Sequence, residues 1–179
     1  MARVISFEDH KWPQKRLLTS CEEKVPGIVT NPINYKDEQG VAFLPSVVAG
    51  KANNLVDGPT VFLVDLVRDP HELDVTYGLR VIRELIGKLV QDGSGIPEFL
   101  KRNDMLVCAV TGYPDKLNKD KDKVLEIIPS SIEIKIAYNR DDVALILKDR
   151  KKRPILPVII KAQTEALLPE LINGWVESL

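Results

Sequence analysis

Asp65, Asp69, His71, Glu72 and Asp74 place four carboxylates and an imidazole in one short stretch of a 179-residue chain. A hard divalent cation, Mg or Mn, takes oxygen ligands of this kind, and His71 is suited to serve beside Asp65 and Asp69 as a nitrogen ligand or general base. The cluster starts inside the apolar run 61–67 and continues beyond it, and loops at strand ends are where α/β sheets place ligands. A simpler account covers most of it. Asp69-Pro70-His71 has turn chemistry, and Glu72 and Asp74 precede or open a helix whose N-terminus favours negative charge. Only Asp65 then needs explaining: a carboxylate between Val64 and Leu66 is costly if buried without a partner, and an edge strand would let it face water.

A second set lies further on. Pro114-Asp115, followed by Glu133-Ile134-Lys135, resembles the active-site signature of the PD-(D/E)xK nuclease superfamily. The resemblance implies Asp115 and Glu133 as ligands of Mg or Mn and Lys135 as the residue that positions or activates water, in a metal-assisted hydrolysis. Glu133 and Lys135 are equally i,i+2 neighbours on the wet face of a half-exposed strand.

The run Arg150, Lys151, Lys152, Arg153 offers a local, salt-sensitive contact to nucleic-acid phosphates, with no aromatic beside it for base stacking. Residues 116–123 balance their own charge and read as a surface loop. Cys21, Cys108, His10 and His71 have no zinc-ligand spacing, and Cys108 inside an apolar run reads as inert core with a free thiol. There is no Gly-rich dinucleotide loop, phosphate-binding loop or nucleophile elbow.

The totals are those of an ordinary folded protein, with 44% apolar and 28% charged residues, so one domain with its own core is expected. A net charge of −1, from 25 basic against 26 acidic side chains, leaves no whole-molecule field to draw in nucleic acid or an anionic membrane. No apolar run approaches the roughly 20 residues that span a bilayer, so a cytoplasmic or otherwise intracellular location is expected.

The elements that must position these side chains follow from hydrophobic period. The apolar runs at 61–67 and 105–111 flank an amphipathic helix at 75–90, with Leu79, Ile82, Leu85, Ile86 and Leu89 on one stripe. A short helix is expected at 97–102, and further strands at 124–128, 132–138, 143–147 and 155–160. Residues 139–142 suit a hairpin connection, and Pro157 argues for an edge or bulged strand. Leu168, Leu171, Ile172 and Trp175 mark a C-terminal helix with Pro169 in its first turn. Five prolines in the first third suggest an extended proline-bearing region over 1–59, with short strands at 4–7, 27–30 and 41–44, attached to a core over 60–179.

The expected fold is therefore a single α+β domain, with a mixed, mainly antiparallel sheet and two principal helices packed against it. The expected function is that of a non-enzymatic interaction or assembly protein, such as a self-associating structural subunit, with a protein partner and no cofactor. A metal-dependent nuclease built on Asp115, Glu133 and Lys135, or an inactive relative of one, is the alternative. A small-ligand or metal site at 65–74 is a third reading.

Overall fold

Continuous apolar runs, rather than alternating ones, are the mark of strands covered on both faces, and here they build a wholly parallel sheet. The structure is a computed structural model that describes residues 1–8, 10–66, 74–90 and 95–179, with only the backbone of residues 11 and 12. In chain order the elements are β1 (Ala2–Glu8), α1 (Lys11–Lys24), β2 (Ile28–Asn34), α2 (Pro45–Asn53), β3 (Thr60–Asp65), α3 (Thr76–Leu89), α4 (Ile96–Leu100) and β4 (Met105–Thr111). They continue with α5 (Asp115–Lys119), α6 (Lys121–Ile127), β5 (Glu133–Ala137), α7 (Arg140–Asp149), β6 (Ile155–Ile160), a 3-10 turn (Lys161–Gln163) and α8 (Thr164–Glu177).

The six strands lie in the order β2-β1-β3-β4-β6-β5, and every pair is parallel. Parallel neighbours need crossover helices, and their fixed hand distributes those helices over both faces. One face is packed by α2, α3, α4 and α6 against Ile5, Phe62, Val64 and Val158. The other is packed by α1, α7 and α8 against Val4, Val61, Leu63 and Ile159. Alternation along each strand thus feeds two cores, each closed by helix stripes.

This overturns the mainly antiparallel α+β sheet with two principal helices: the described residues form an all-parallel sheet and eight α-helices. The cause lies in two segments. The 139–142 stretch caps a helix instead of making a hairpin, because Asn139 accepts the N–H of Asp142 at 2.9 Å and Asp142 accepts that of Tyr138 at 2.8 Å. What followed as a strand at 143–147 is α7, burying Val143 and Ile146 at helical spacing. The 116–123 loop and the 124–128 strand are α5 and α6, whose buried Leu117, Val124 and Ile127 again keep a helical period.

Other differences follow from topology. Residues 1–59 supply β1, α1, β2 and α2, and β1 is an interior strand flanked by β2 and β3. No strand forms at 41–44, where Ala42 makes an isolated bridge with Lys36. Pro157 lies in β6, between β4 and β5, and is tolerated there because the ladder to β4 begins only at Val158. Pro169 sits inside α8, past the first turn. Among the described residues no helix is long and apolar enough to cross a membrane.

Candidate functional site

In a parallel sheet every strand ends at the same edge, so residues that close separate apolar runs are gathered without being near in sequence. Here the chain leaves β1 through α1 on one face and β3 through α3 on the other, which opens a crevice at the carboxyl ends of these two strands. Register places Phe7 opposite Val64, so Glu8 and Asp65 stand side by side at its floor. Asp65 is level with Val110 of β4, and Thr111 is one step beyond. Lys161 follows β6 directly, in the turn that begins α8.

The side chains converge. Lys161 Nζ lies 2.6 Å from Asp65 Oδ2 and 3.4 Å from Glu8 Oε2. Asp65 is only 2% exposed and Glu8 6%, whereas the Lys161 side chain keeps 37% of its surface in water. Two carboxylates removed from solvent would be costly alone, and the shared ammonium offsets that cost. Burial works against the Lys161 ammonium, yet the charges of Asp65 and Glu8 and their hydrogen bonds outweigh it and hold the lysine pKa above its usual value. Lys161 also lines an open groove of about 1100 Å³ between α1 and the start of α8, with Thr19, Ser20 and Thr164, so the lysine of the cluster is reached from solvent on that side.

The backbone around Asp65 is held from several directions. Its carbonyl oxygen accepts the Tyr35 hydroxyl at 2.6 Å, and Leu66 N–H donates to Val110 O at 3.0 Å. Gly78 of α3 comes so close that a β-carbon there would lie 2.4 Å from Leu66 Cα and 2.5 Å from Asp65 O, and its N–H donates to Leu66 O at 3.0 Å. Thr111 is fully buried, and its Oγ1 accepts the N–H of Tyr113 at 3.0 Å, which turns the chain away after β4.

The residues expected from sequence are distributed differently. Of the first set, Asp65 belongs to this site and lies on an interior strand, not at a solvent edge. Asp74 accepts the N–H and the hydroxyl of Thr76 at 2.9 and 2.5 Å beside the start of α3. Burial raises its pKa, but these bonds, with help from Arg80 and Lys123, leave it below the usual carboxylate range. Asp69, His71 and Glu72 lie outside the described residues.

The second set is not brought together. Asp115 opens α5 beyond the carboxyl end of β4, whereas Glu133 begins β5 at the opposite edge of the parallel sheet and pairs with Arg153 at 3.2 Å, with Lys135 two residues on. The basic run is also divided. Arg150 is 2% exposed and spends its guanidinium on backbone carbonyls, and Arg153 is held by Glu133 and Asp149. Lys151 and Lys152 are exposed. Cys108 is buried, and its thiol pKa is pushed up by desolvation, as expected of core.

Glu8, Thr111 and Lys161 escaped the sequence reading. A signal existed: Glu8, Asp65 and Lys161 each close an apolar strand with a charge. Among the described residues no group of three His, Cys, Asp or Glu side chains is placed to hold a metal, while Glu8 and Asp65 offer adjacent oxygen donors of the kind Mg or Mn takes. Comparison with protein-family models, with curated proteins and with solved structures found no match.

Proposed function

We propose that this domain is a phosphoryl-receiving switch in which Asp65 is the acceptor. The observation that carries this reading is the ion pair of Asp65 with Lys161 at 2.6 Å, joined by Glu8, at the carboxyl-edge crevice of a doubly wound parallel sheet. A carboxylate is an established covalent nucleophile for phosphoryl transfer, and such transfer depends mainly on positioning and on charges that meet the phosphoryl oxygens.

In this reading a carboxylate oxygen of Asp65 attacks phosphorus, the bond from phosphorus to the donor's leaving atom breaks, and the leaving group departs with the electron pair. The product is an acyl phosphate on Asp65. Lys161 moves its hydrogen bond from the carboxylate to a phosphoryl oxygen, and Thr111 stands at the neighbouring strand end as a hydroxyl donor. Glu8 and Asp65 together suit a divalent cation, which would neutralise developing charge on the phosphoryl group. An acyl phosphate is a high-energy anhydride, so the donor is itself an activated phosphoryl compound, such as an acyl phosphate or a phosphoramidate, and not a simple phosphate ester. A partner that reads the modified state fits the expectation of an interaction protein.

The test is incubation with acetyl phosphate and magnesium, read by intact mass. One added phosphoryl group, absent from Asp65→Asn, supports the reading. An unmodified chain, with no rise in unfolding midpoint on adding magnesium and beryllium fluoride, overturns it.

A further inference from the structure

One residue after β2 touches the backbone of both acidic site residues. The Tyr35 N–H donates to Glu8 O at 3.0 Å, and its hydroxyl donates to Asp65 O at 2.6 Å. Glu8 and Asp65 are the last residues of β1 and β3, the level at which the chain diverges onto opposite faces. Tyr35 is fully buried there and links the two strand ends.

The tyrosine is itself braced. Its ring meets Tyr77 of α3 edge-on, with centroids 4.9 Å apart and planes at 75°. Its carbonyl accepts Phe43 N–H at 2.8 Å, and Phe43 O accepts the Tyr77 hydroxyl at 2.7 Å. Packing and hydrogen bonds therefore hold the hydroxyl in one place. A phenol so braced sets the peptide plane of Asp65, and with it the direction in which the side chain leaves the strand.

We propose that Tyr35 is a positioning residue for phosphoryl transfer, acting through the main chain to aim the Asp65 carboxylate at the phosphoryl position beside Glu8. This rests on the reading of Asp65 as acceptor. Small misplacements of a reacting group are expensive: a shift of about 1 Å can cost on the order of a hundredfold in rate. Loss of one hydroxyl, with the ring left in place, produces a smaller displacement and a loss of roughly tenfold.

The experiment compares Tyr35→Phe with Tyr77→Phe in the full chain, using acetyl phosphate and magnesium. Each variant loses one phenolic hydroxyl from the same braced pair, but only Tyr35 reaches Asp65. The expected result is a maximal phosphorylation rate about tenfold lower in Tyr35→Phe. Its half-saturating donor concentration stays unchanged, and Tyr77→Phe retains the wild-type rate. Equal rates in wild type and Tyr35→Phe overturn the proposal, as does a parallel loss in both variants that tracks their unfolding midpoints. Failure of the wild type to take a phosphoryl group removes the acceptor reading and this role with it, a result distinct from a reactive wild type that is indifferent to the hydroxyl.

Discussion

Two cations sit at opposite edges of the same sheet, and their surroundings differ in kind. At the amino edge Arg150 is almost wholly buried, with Nη2 lying 3.2, 2.8 and 2.7 Å from the carbonyl oxygens of Leu100, Arg102 and Met105. Burial lowers its pKa to about 10, so it stays charged at neutral pH and ties the end of α7 to the segment that leads into β4. At the carboxyl edge Lys161 is half exposed and faces carboxylates instead of carbonyls. Carbonyls hold a cation but do no chemistry with it, whereas carboxylates can exchange it for a metal ion or a phosphoryl group. One edge buries its cation among neutral acceptors, and the other pairs its cation with two acids beside the solvent.

Substitutions should divide along that line. The largest effect expected is at Asp65: Asp65→Asn abolishes phosphoryl acceptance in the mass assay, while urea unfolding shows a midpoint close to wild type, because an amide relieves the cost of a buried charge. A strongly destabilised Asp65→Asn would place this residue with Arg150 and erase the contrast. Arg150→Met inverts the pattern. Leaving three carbonyls without their donor should cost about 3 kcal/mol of stability in denaturant unfolding, with the rate of phosphoryl transfer by the folded fraction unchanged.

Gly78→Ala tests how tightly the reactive edge is braced. The new methyl group would meet the backbone of Asp65 and Leu66, and a cost of about 2 kcal/mol is expected, together with slower phosphorylation. A neutral Gly78→Ala would mean that α3 does not constrain the site.

The smallest effect is a pH dependence. The folded-state pKa of Lys161 lies above its unfolded value, so the stabilisation from its ion pairs is fully present below the ordinary lysine pKa of about 10.4. It is lost as pH climbs through the higher folded-state value. The stability difference between wild type and Lys161→Met should accordingly be flat through neutral pH and shrink only in strong alkali, measured by denaturant unfolding at a series of pH values. A difference that stays unchanged in strong alkali would contradict the pairing.

The strand-helix-strand unit from β3 to β4 was legible because its runs are long and its helix strongly periodic, and β4 falls on the apolar run 105–111. The short apolar sets at 124–128 and 143–147 were not, since four or five residues do not distinguish a strand from one turn of buried helix. That ambiguity had consequences beyond the two segments. Reading α7 as a strand after a hairpin made the sheet antiparallel, and in an antiparallel sheet Glu8, Asp65 and Lys161 have no reason to share an edge. The cluster was hidden by topology, although each member closes its own apolar run. Asp65 alone drew notice, through the cost of burying a carboxylate, and its partner Lys161 lies 96 residues further along, beyond the reach of any local pattern.

β5 and α7 intervene between β4 and β6, so β6 is the last strand to be synthesised, even though it lies beside β4. During synthesis both acids therefore emerge well before their lysine. Until β6 docks, a nascent domain holds two neighbouring anions without the counter-charge of Lys161, and the strand made last also completes the electrostatics of the crevice.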